Sequence, residues 1–106
     1  MGYPMAGWLS KQGHNLVVYN RTAAVTERWL KDYKGTAADS PSQAVADAEI
    51  VFSCLGNDRD VREVLLAERG ALSNMQPGAI VVDHTTTSAD LAAELAAEAA
   101  AVNCGF

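Results

Sequence analysis

Residues 1–22, MGYPMAGWLSKQGHNLVVYNRT, carry the strongest indication of the fold. Their helical pattern, over about 3–12, is stopped by Gly13, and the apolar strand 15–19 then runs into the polar trio 20–22. A helix joined to a strand by so short a connection is typical of βαβ units. In a doubly wound sheet, a strand and a glycine-rich turn come before such a helix. The stretch therefore predicts an α/β fold whose first βαβ unit begins at its helix, without the strand that precedes the helix in such folds.

The rest of the chain continues the alternation of helix and strand. Helices are predicted over about 23–34, 41–48, 58–67 and 89–101, with Thr22 and Thr87 as caps and a capping box at 40–43. The apolar runs 49–55 and 79–83 predict two buried strands, the first of them central and covered on both faces. Residues 103–106 look like the approach to one more strand.

Size, charge and cysteine usage limit the classes of function. The 106 residues suit one domain, and 13 Asp plus Glu against 8 Lys plus Arg give a net charge of -5, which disfavours nucleic acid and acidic membranes as partners. No apolar run approaches the roughly 20 residues of a membrane span, and the start lacks a signal-peptide pattern. Cys54 and Cys104 have no metal-ligand or redox companion, so we expect reduced thiols, no metal site and a cytoplasmic location.

The polar trio Asn20-Arg21-Thr22 carries the strongest chemical signal. In dinucleotide-binding folds, an acidic residue about 20 positions beyond the glycine turn binds the 2'-hydroxyl of the NAD ribose. Here Arg21 can pair instead with the 2'-phosphate of NADP, and Thr22 can add a hydroxyl. The trio therefore favours NADP over NAD. A purely structural alternative remains, in which Asn20 forms a turn, Arg21 is solvated and Thr22 caps a helix.

Other candidate residues lie at the same edge of the predicted sheet. Gly2 would bring a helix N-terminus close to a pyrophosphate. The stretches 55–58 and 84–87 follow the carboxyl ends of the two buried strands, where open α/β sheets bind ligands, and their polar groups can reach a nicotinamide ribose. The threonines can equally be helix caps, and we interpret His84 beside Asp83 as a local hydrogen-bond pair rather than a proton shuttle.

Four ordered blocks carry a family resemblance: MGYPMA, KQGHNLVVYNRT, SPSQAVADAEIVFSCL and GALSNMQPGAIVVDHTTTS. Together they resemble the β-hydroxyacid dehydrogenases, the family of 3-hydroxyisobutyrate dehydrogenase, glyoxylate/succinic semialdehyde reductases and 6-phosphogluconate dehydrogenase. The likeness covers nearly the whole chain and implies a Rossmann-like parallel sheet with flanking helices. It also implies cofactor-binding residues: Met1 and Gly2 at the end of the glycine motif, Asn20, Arg21 and Thr22 as the NADP-selective loop, Cys54 and Leu55 as a cofactor-contacting turn, and Thr85 and Thr86 near the nicotinamide ribose.

The sequence also departs from the family pattern. The first strand and the first two motif glycines are absent, Gly56 replaces a usual proline, and the substrate-binding segment, the catalytic lysine and the helical domain would follow Phe106. We therefore expect residues 1–106 to be a partial NADP-binding domain with no catalytic residue, inactive by itself. The resemblance implies a parent enzyme that transfers hydride between NADP(H) and a small 3-hydroxy acid or semialdehyde.

The absent first strand has a consequence for the sheet. Its two neighbours, strands 15–19 and 49–55, would lose a partner. We expect either that these two strands pair directly or that another copy of the chain fills the gap in a homo-oligomer. An open edge also allows a different function, that of a non-catalytic module which associates with itself or another protein by strand addition.

Overall fold

Helices and parallel strands alternate in the computed structural model, which describes residues 2–68 and 70–106. The sequence prediction of an α/β fold is confirmed. The elements are α1 Gly2–Lys11, β1 Val17–Val18, α2 Ala23–Asp32, β2 Thr36–Ala37, α3 Pro41–Val45, β3 Ile50–Ser53, α4 Asp58–Val61 with a π-helical continuation Arg62–Leu66, a 3-10 turn Leu72–Asn74, β4 Ile80–Asp83 and α5 Ala89–Ala101.

The strands form two separate parallel pairs rather than one continuous sheet. β1 pairs with β2, and β3 pairs with β4 in the register Ile50 to Ile80 through Ser53 to Asp83. Within the described residues β1 and β3 do not pair, so the predicted direct pairing of these strands is wrong. Helix α1 contacts both halves of the fold, because its first residue packs near Cys54 after β3 while Gly7 packs against Tyr33 after α2.

The main hydrophobic core lies on one face of the β3–β4 pair. Helix α5 contributes Leu91, Leu95 and Ala99, which are spaced four residues apart and completely buried. They pack with the rest of the core cluster, which includes Val61, Leu65, Leu72 and Val81. The alanine-rich tract is thus a packed helix, as its capped start and leucine spacing predicted.

The other face of β3–β4 is exposed. Ile50, Phe52 and Ile80 retain 51%, 45% and 45% of their accessible surface. Successive side chains of a strand point to opposite faces, so the core that packs against Val51 and Val81 leaves these three side chains uncovered. The prediction that 49–55 is buried on both faces is therefore wrong. Its apolar composition is typical of a strand with helices packed on both faces, but within the described residues only one face is packed.

The helix starts combine one confirmed prediction with one correction. Ser40 Oγ accepts a hydrogen bond from the Gln43 N–H, as the predicted capping box requires, while the Gln43 side chain accepts from the N–H of Asp39, one residue before the cap. Helix α5 is capped by Ser88 and not by Thr87, because the Ser88 hydroxyl accepts from the Leu91 N–H.

The end of the chain adds to the β3–β4 pair. Gly105 forms a parallel bridge with Ile80, in which its N–H donates to the Ala79 carbonyl and its carbonyl accepts from the Val81 N–H. The predicted approach to a further strand at 103–106 is confirmed, and this strand begins on the side of β4 that faces away from β3.

Candidate dinucleotide-binding site

A cleft of about 210 Å³ opens at the carboxyl ends of β1 and β2. Among its lining residues Arg21 is the cation, whereas Glu27 and Asp39 are acids. The position agrees with the general rule that open α/β sheets bind ligands beyond the carboxyl ends of their strands. The full lining consists of Tyr19, Asn20, Arg21, Ala23, Thr26, Glu27, Ala37, Ala38 and Asp39.

Asn20 and Thr22 shape the entrance to α2. The Asn20 Oδ1 atom accepts a hydrogen bond of 2.8 Å from the Thr22 N–H, which closes a side-chain turn. Thr22 occupies the predicted N-cap position, but its side chain makes no capping hydrogen bond, which corrects its predicted role as a capping side chain. Its exposed hydroxyl instead lies at the positive end of a ten-residue helix, an environment that favours an anion.

The Arg21 side chain is 71% exposed and lies at the mouth of this cleft. Its Nη1 atom lies 3.4 Å from Oδ1 of Asp60 in α4. The Asp60 carboxylate also lies over Gly56, since a Cβ there would come within 2.8 Å of Oδ2. The ion pair therefore brings the trio after β1 close to the turn after β3, and it leaves most of the guanidinium accessible.

Gly2 and Cys54 meet at the carboxyl end of β3. A Cβ added to Gly2 would lie 3.4 Å from the Cys54 Cβ and 3.9 Å from its carbonyl oxygen. The N-terminus of α1 thus lies beside the turn after β3, at a distance where a Cβ at position 2 would make an ordinary van der Waals contact. The predicted contribution of Met1 lies outside the described residues.

Ser53, Asp83, Thr85 and Leu55 form a hydrogen-bond network between the ends of β3 and β4. Asp83 Oδ1 accepts from the Ser53 hydroxyl at 2.7 Å, from the Thr85 hydroxyl at 2.8 Å and from the Thr85 N–H at 3.2 Å. The Thr85 hydroxyl in turn accepts a hydrogen bond of 2.8 Å from the Leu55 N–H. This network brings two predicted cofactor-contacting segments together. Thr86 is the next residue and is exposed.

Sequence reasoning did not identify Ser53 and Asp83 as parts of the site. Both are the last residues of their strands, and the parallel register pairs them directly. In the sequence, each of the two apolar strands ends in a polar residue, one with a hydroxyl and one with a carboxylate. This pattern indicates a shared site only when the register of the two strands is known.

Two other contacts fix the neighbouring loops. The Ser88 N–H and hydroxyl donate to the two Asp58 carboxylate oxygens, at 3.1 and 2.6 Å. These hydrogen bonds, that of the hydroxyl foremost, lower the pKa of Asp58, and the positive charge of Arg62 adds to the effect. The starts of α4 and α5 are thereby tied together.

His84 does not pair with the Asp83 carboxylate, so that expectation is wrong. Its ring stacks on Phe52, with 6.1 Å between ring centroids and 19° between the planes. Asp83 Oδ1 is already occupied by Ser53 and Thr85. His84 is therefore an exposed aromatic residue beside the site and does not form an acid–base pair with Asp83.

The family model for the NAD binding domain of 6-phosphogluconate dehydrogenase matches residues 1–106. The chain belongs to this family. It is 52% identical to an uncharacterized oxidoreductase of Shewanella frigidimarina over 106 residues, which are all of this chain and 36% of that protein. It is 40% identical to probable 3-hydroxyisobutyrate dehydrogenase-like 1, mitochondrial, of Arabidopsis thaliana, over 98% of this chain and 31% of that protein. With 3-sulfolactaldehyde reductase of Escherichia coli the identity is 41%, over 81% and 28% of the two chains.

Solved structures have the same fold. Psf3 in complex with NADP+ and 2-OPP superposes with a TM-score of 0.92 at 23% identity, covering 100% of this chain and 37% of that one. The reductive aminase of Aspergillus terreus, in complex with NADPH4, cyclohexanone and allyl amine, superposes with a TM-score of 0.78 at 27% identity, covering 98% and 35%. The predicted Rossmann-like fold class and the family resemblance are thus confirmed. The chain spans about a third of the length of the relatives it matches.

Residues 2–68 and 70–106 contain neither a candidate membrane span nor a candidate metal site. No helix there is long and apolar enough to cross a membrane. Nor does any group of three or more His, Cys, Asp and Glu side chains come together in a way that could hold a metal ion.

Proposed function

We propose that this chain is the nucleotide-binding part of a reductase or dehydrogenase and that it binds NADP(H) in preference to NAD(H). The observation that carries the proposal is the exposed Arg21 guanidinium at the mouth of the cleft beyond β1 and β2. The trio that holds Arg21 lacks the carboxylate that would bind the ribose 2'-hydroxyl of NAD and repel a 2'-phosphate. The NADP+ and NADPH complexes of the two structural neighbours support this cofactor.

The electrostatics of the cleft favour a modest preference for NADP(H). Hydrogen bonds to charged groups are worth about 1.5–3 kcal/mol, so Arg21 can supply roughly a ten- to hundredfold preference for the phosphorylated ribose. Glu27 and Asp39 in the lining act against a dianion and reduce this margin. The ion pair with Asp60 is exposed and therefore weak enough for a phosphate to replace it.

The proposed site extends from the carboxyl ends of β1 and β2 to the carboxyl ends of β3 and β4. The backbone N–H groups at the start of α1, beside Cys54, would bind the pyrophosphate, with the adenosine half toward Arg21 and the nicotinamide half toward β3 and β4. A bound cofactor would supply the hydride, and the residues of this chain would bind and orient it. The proposed cofactor-binding residues are Met1, Gly2, Asn20, Arg21, Thr22, Cys54, Leu55 and Thr86.

Two of the relatives support a substrate class for the whole enzyme. They include a probable 3-hydroxyisobutyrate dehydrogenase-like protein and a 3-sulfolactaldehyde reductase, which supports hydride transfer between NADP(H) and a small 3-hydroxy acid or semialdehyde. We assign no catalytic residue within residues 1–106. By itself, the chain is expected to bind nucleotide without turning over substrate.

Parallel titrations with NADPH and NADH, followed by nucleotide fluorescence or calorimetry, test the cofactor proposal. We expect tighter binding of NADPH and loss of that preference in Arg21→Glu. The matched control is Arg28→Glu, which makes the same charge change on the exposed surface of α2 and is expected to bind as the unmodified chain does. Equal affinity for both nucleotides, or an Arg21→Glu variant that still prefers NADPH, would contradict the proposal.

The open strand edges favour a second function, association between copies of this chain. Along β1, Leu16 and Val18 carbonyls bond to β2, so the backbone groups of Val17 point to the opposite side, where a gap without a paired strand is left among the described residues. We propose that a strand from another copy can occupy this gap. Sedimentation at increasing concentration should then show an oligomer, and Val17→Lys should weaken it by placing a charge on the edge. A monomer at every concentration would contradict this second function.

A further inference from the structure

The peptide bond between Cys54 and Leu55 has a fixed orientation in this structure. The Leu55 N–H donates a hydrogen bond of 2.8 Å to the Thr85 hydroxyl, on the β4 side of the turn. In a planar trans peptide, the N–H of one residue and the carbonyl of the preceding residue point in opposite directions. The Cys54 carbonyl therefore points away from β4, toward the N-terminus of α1, where the Cβ position of Gly2 lies 3.9 Å from its oxygen.

The direction of this hydrogen bond is set by Asp83. A hydroxyl has one proton, and Thr85 gives it to Asp83 Oδ1 at 2.8 Å, which leaves the lone pairs of the Thr85 oxygen for the Leu55 N–H. The buried Ser53 hydroxyl and the Thr85 N–H donate to the same carboxylate oxygen. Hydrogen bonds to an ionised carboxylate are stronger than neutral ones, so Asp83 holds Thr85 in one orientation.

We propose that Asp83 and Thr85 are positioning residues for the nicotinamide half of the dinucleotide. They fix the 54–55 peptide so that the Cys54 carbonyl accepts a hydrogen bond from a hydroxyl of the nicotinamide ribose. This inference rests on the proposed function, because it places the 2'-phosphate at Arg21 and the pyrophosphate at Gly2. The remaining ribose then lies on the β3 side of α1, where the Cys54 carbonyl points.

The test separates the two halves of the cofactor. Reduced nicotinamide mononucleotide probes the β3–β4 side, and 2',5'-ADP probes the Arg21 side. Both are titrated by NMR into the 106-residue chain and into its Thr85→Val and Thr85→Ser variants. The control is Thr36→Val, which removes a hydroxyl that donates to the Leu16 carbonyl in the other strand pair.

Thr85→Val should weaken binding of the mononucleotide about five- to tenfold, the effect of one lost hydrogen bond, and leave the affinity for 2',5'-ADP unchanged. It should also lower the hydrogen-exchange protection of the Leu55 amide. Thr85→Ser keeps the hydroxyl and should restore both properties, whereas Thr36→Val should change neither. A general loss of folded structure would instead weaken the binding of both fragments in Thr85→Val.

Three results would overturn the inference. If Thr85→Val left the affinity for the mononucleotide unchanged, or lowered the affinities for both fragments equally, the hydrogen-bond network would have only a structural role. Binding of 2',5'-ADP without binding of the mononucleotide would overturn the inference and leave the proposed cofactor preference standing. If neither fragment bound to the unmodified chain, the proposed function would fail, and the inference would fail with it.

Discussion

The guanidinium of Arg21 and the carboxylate of Asp60 lie 3.4 Å apart and join the two strand pairs of the fold. Arg21 follows β1, and Asp60 belongs to the helix that follows β3. The same guanidinium is the group proposed to bind the 2'-phosphate of NADP. Asp60 and the phosphate are therefore competitors for one cation, and Asp60 is expected to influence cofactor preference without contacting the nucleotide.

Replacing Asp60 with Asn should raise the affinity for NADPH and leave that for NADH unchanged. Exposed ion pairs contribute about 0–1 kcal/mol, so the expected gain is about two- to fivefold and should shrink at high salt. Parallel titrations of the two nucleotides at low and high ionic strength measure it. Asp90→Asn, the same change in the first turn of α5, serves as the control. An equal gain for both nucleotides would show that Asp60 does not act through the 2'-phosphate.

Gly7 is expected to be intolerant of alanine because of Tyr33. A Cβ at position 7 would lie 2.3 Å from the Tyr33 Cζ and 2.4 Å from its Cε1, so the ring or helix α1 must move. We expect Gly7→Ala to lower the free energy of unfolding by about 1–3 kcal/mol, the usual cost of overpacking, although alanine is the better helix former. Urea unfolding measures the loss.

A double-mutant cycle checks the cause of that loss. Tyr33→Ala removes the ring, so adding Gly7→Ala to this variant should cost little or even stabilise α1. The same penalty in both backgrounds would show that the clash with the ring is not the reason.

The regular elements were the part of the fold most accessible from the sequence. The last helix has the predicted bounds, 89–101, because the leucine spacing and an N-terminal cap act locally. The one-residue error in its cap arose because Thr87 and Ser88 are both good capping residues. In the fold, the Ser88 hydroxyl accepts from the Leu91 N–H and donates to Asp58, 30 positions earlier.

Long-range pairing was much less accessible. The sequence could not show that β1 would extend over only Val17–Val18, or that the described strands would form two separate pairs. It also could not show that Asp83 would join Ser53 and Thr85, because that contact depends on the register of β3 against β4. For the candidate site, the individual polar segments were predictable, whereas the hydrogen bonds that join them required the fold.

Leu95 should be among the most sensitive core positions. It is completely buried, and α5 offers few other large side chains, so Leu95→Ala leaves a cavity that neighbouring alanines cannot fill. We expect a loss of about 2–5 kcal/mol in the free energy of unfolding. Leu30→Ala is the matched control, because Leu30 is 37% exposed and should lose much less. Similar losses at both positions in denaturant unfolding would contradict the packing of α5 described here.

The hydrogen bonds between Asp58 and Ser88 should make part of the stability depend on pH. The Ser88 hydroxyl and N–H lower the pKa of Asp58 below its ordinary value of 3.8 in the folded chain. The unfolded state therefore binds the proton more tightly, so the contribution of Asp58 is fully present above that value and is lost as the pH falls toward and through the folded pKa. Ser88→Ala removes the larger of the two contacts and should move the pKa of Asp58 back toward 3.8, with a shallower fall in stability in acid. A carbon-detected NMR titration of the carboxyl group measures this shift directly, with Ser73→Ala, which removes an exposed hydroxyl bonded to the Glu68 carbonyl, as the control. If the Asp58 pKa were the same in the Ser88→Ala variant as in the unmodified chain, the hydrogen bond from the Ser88 hydroxyl would not be the source of the shift.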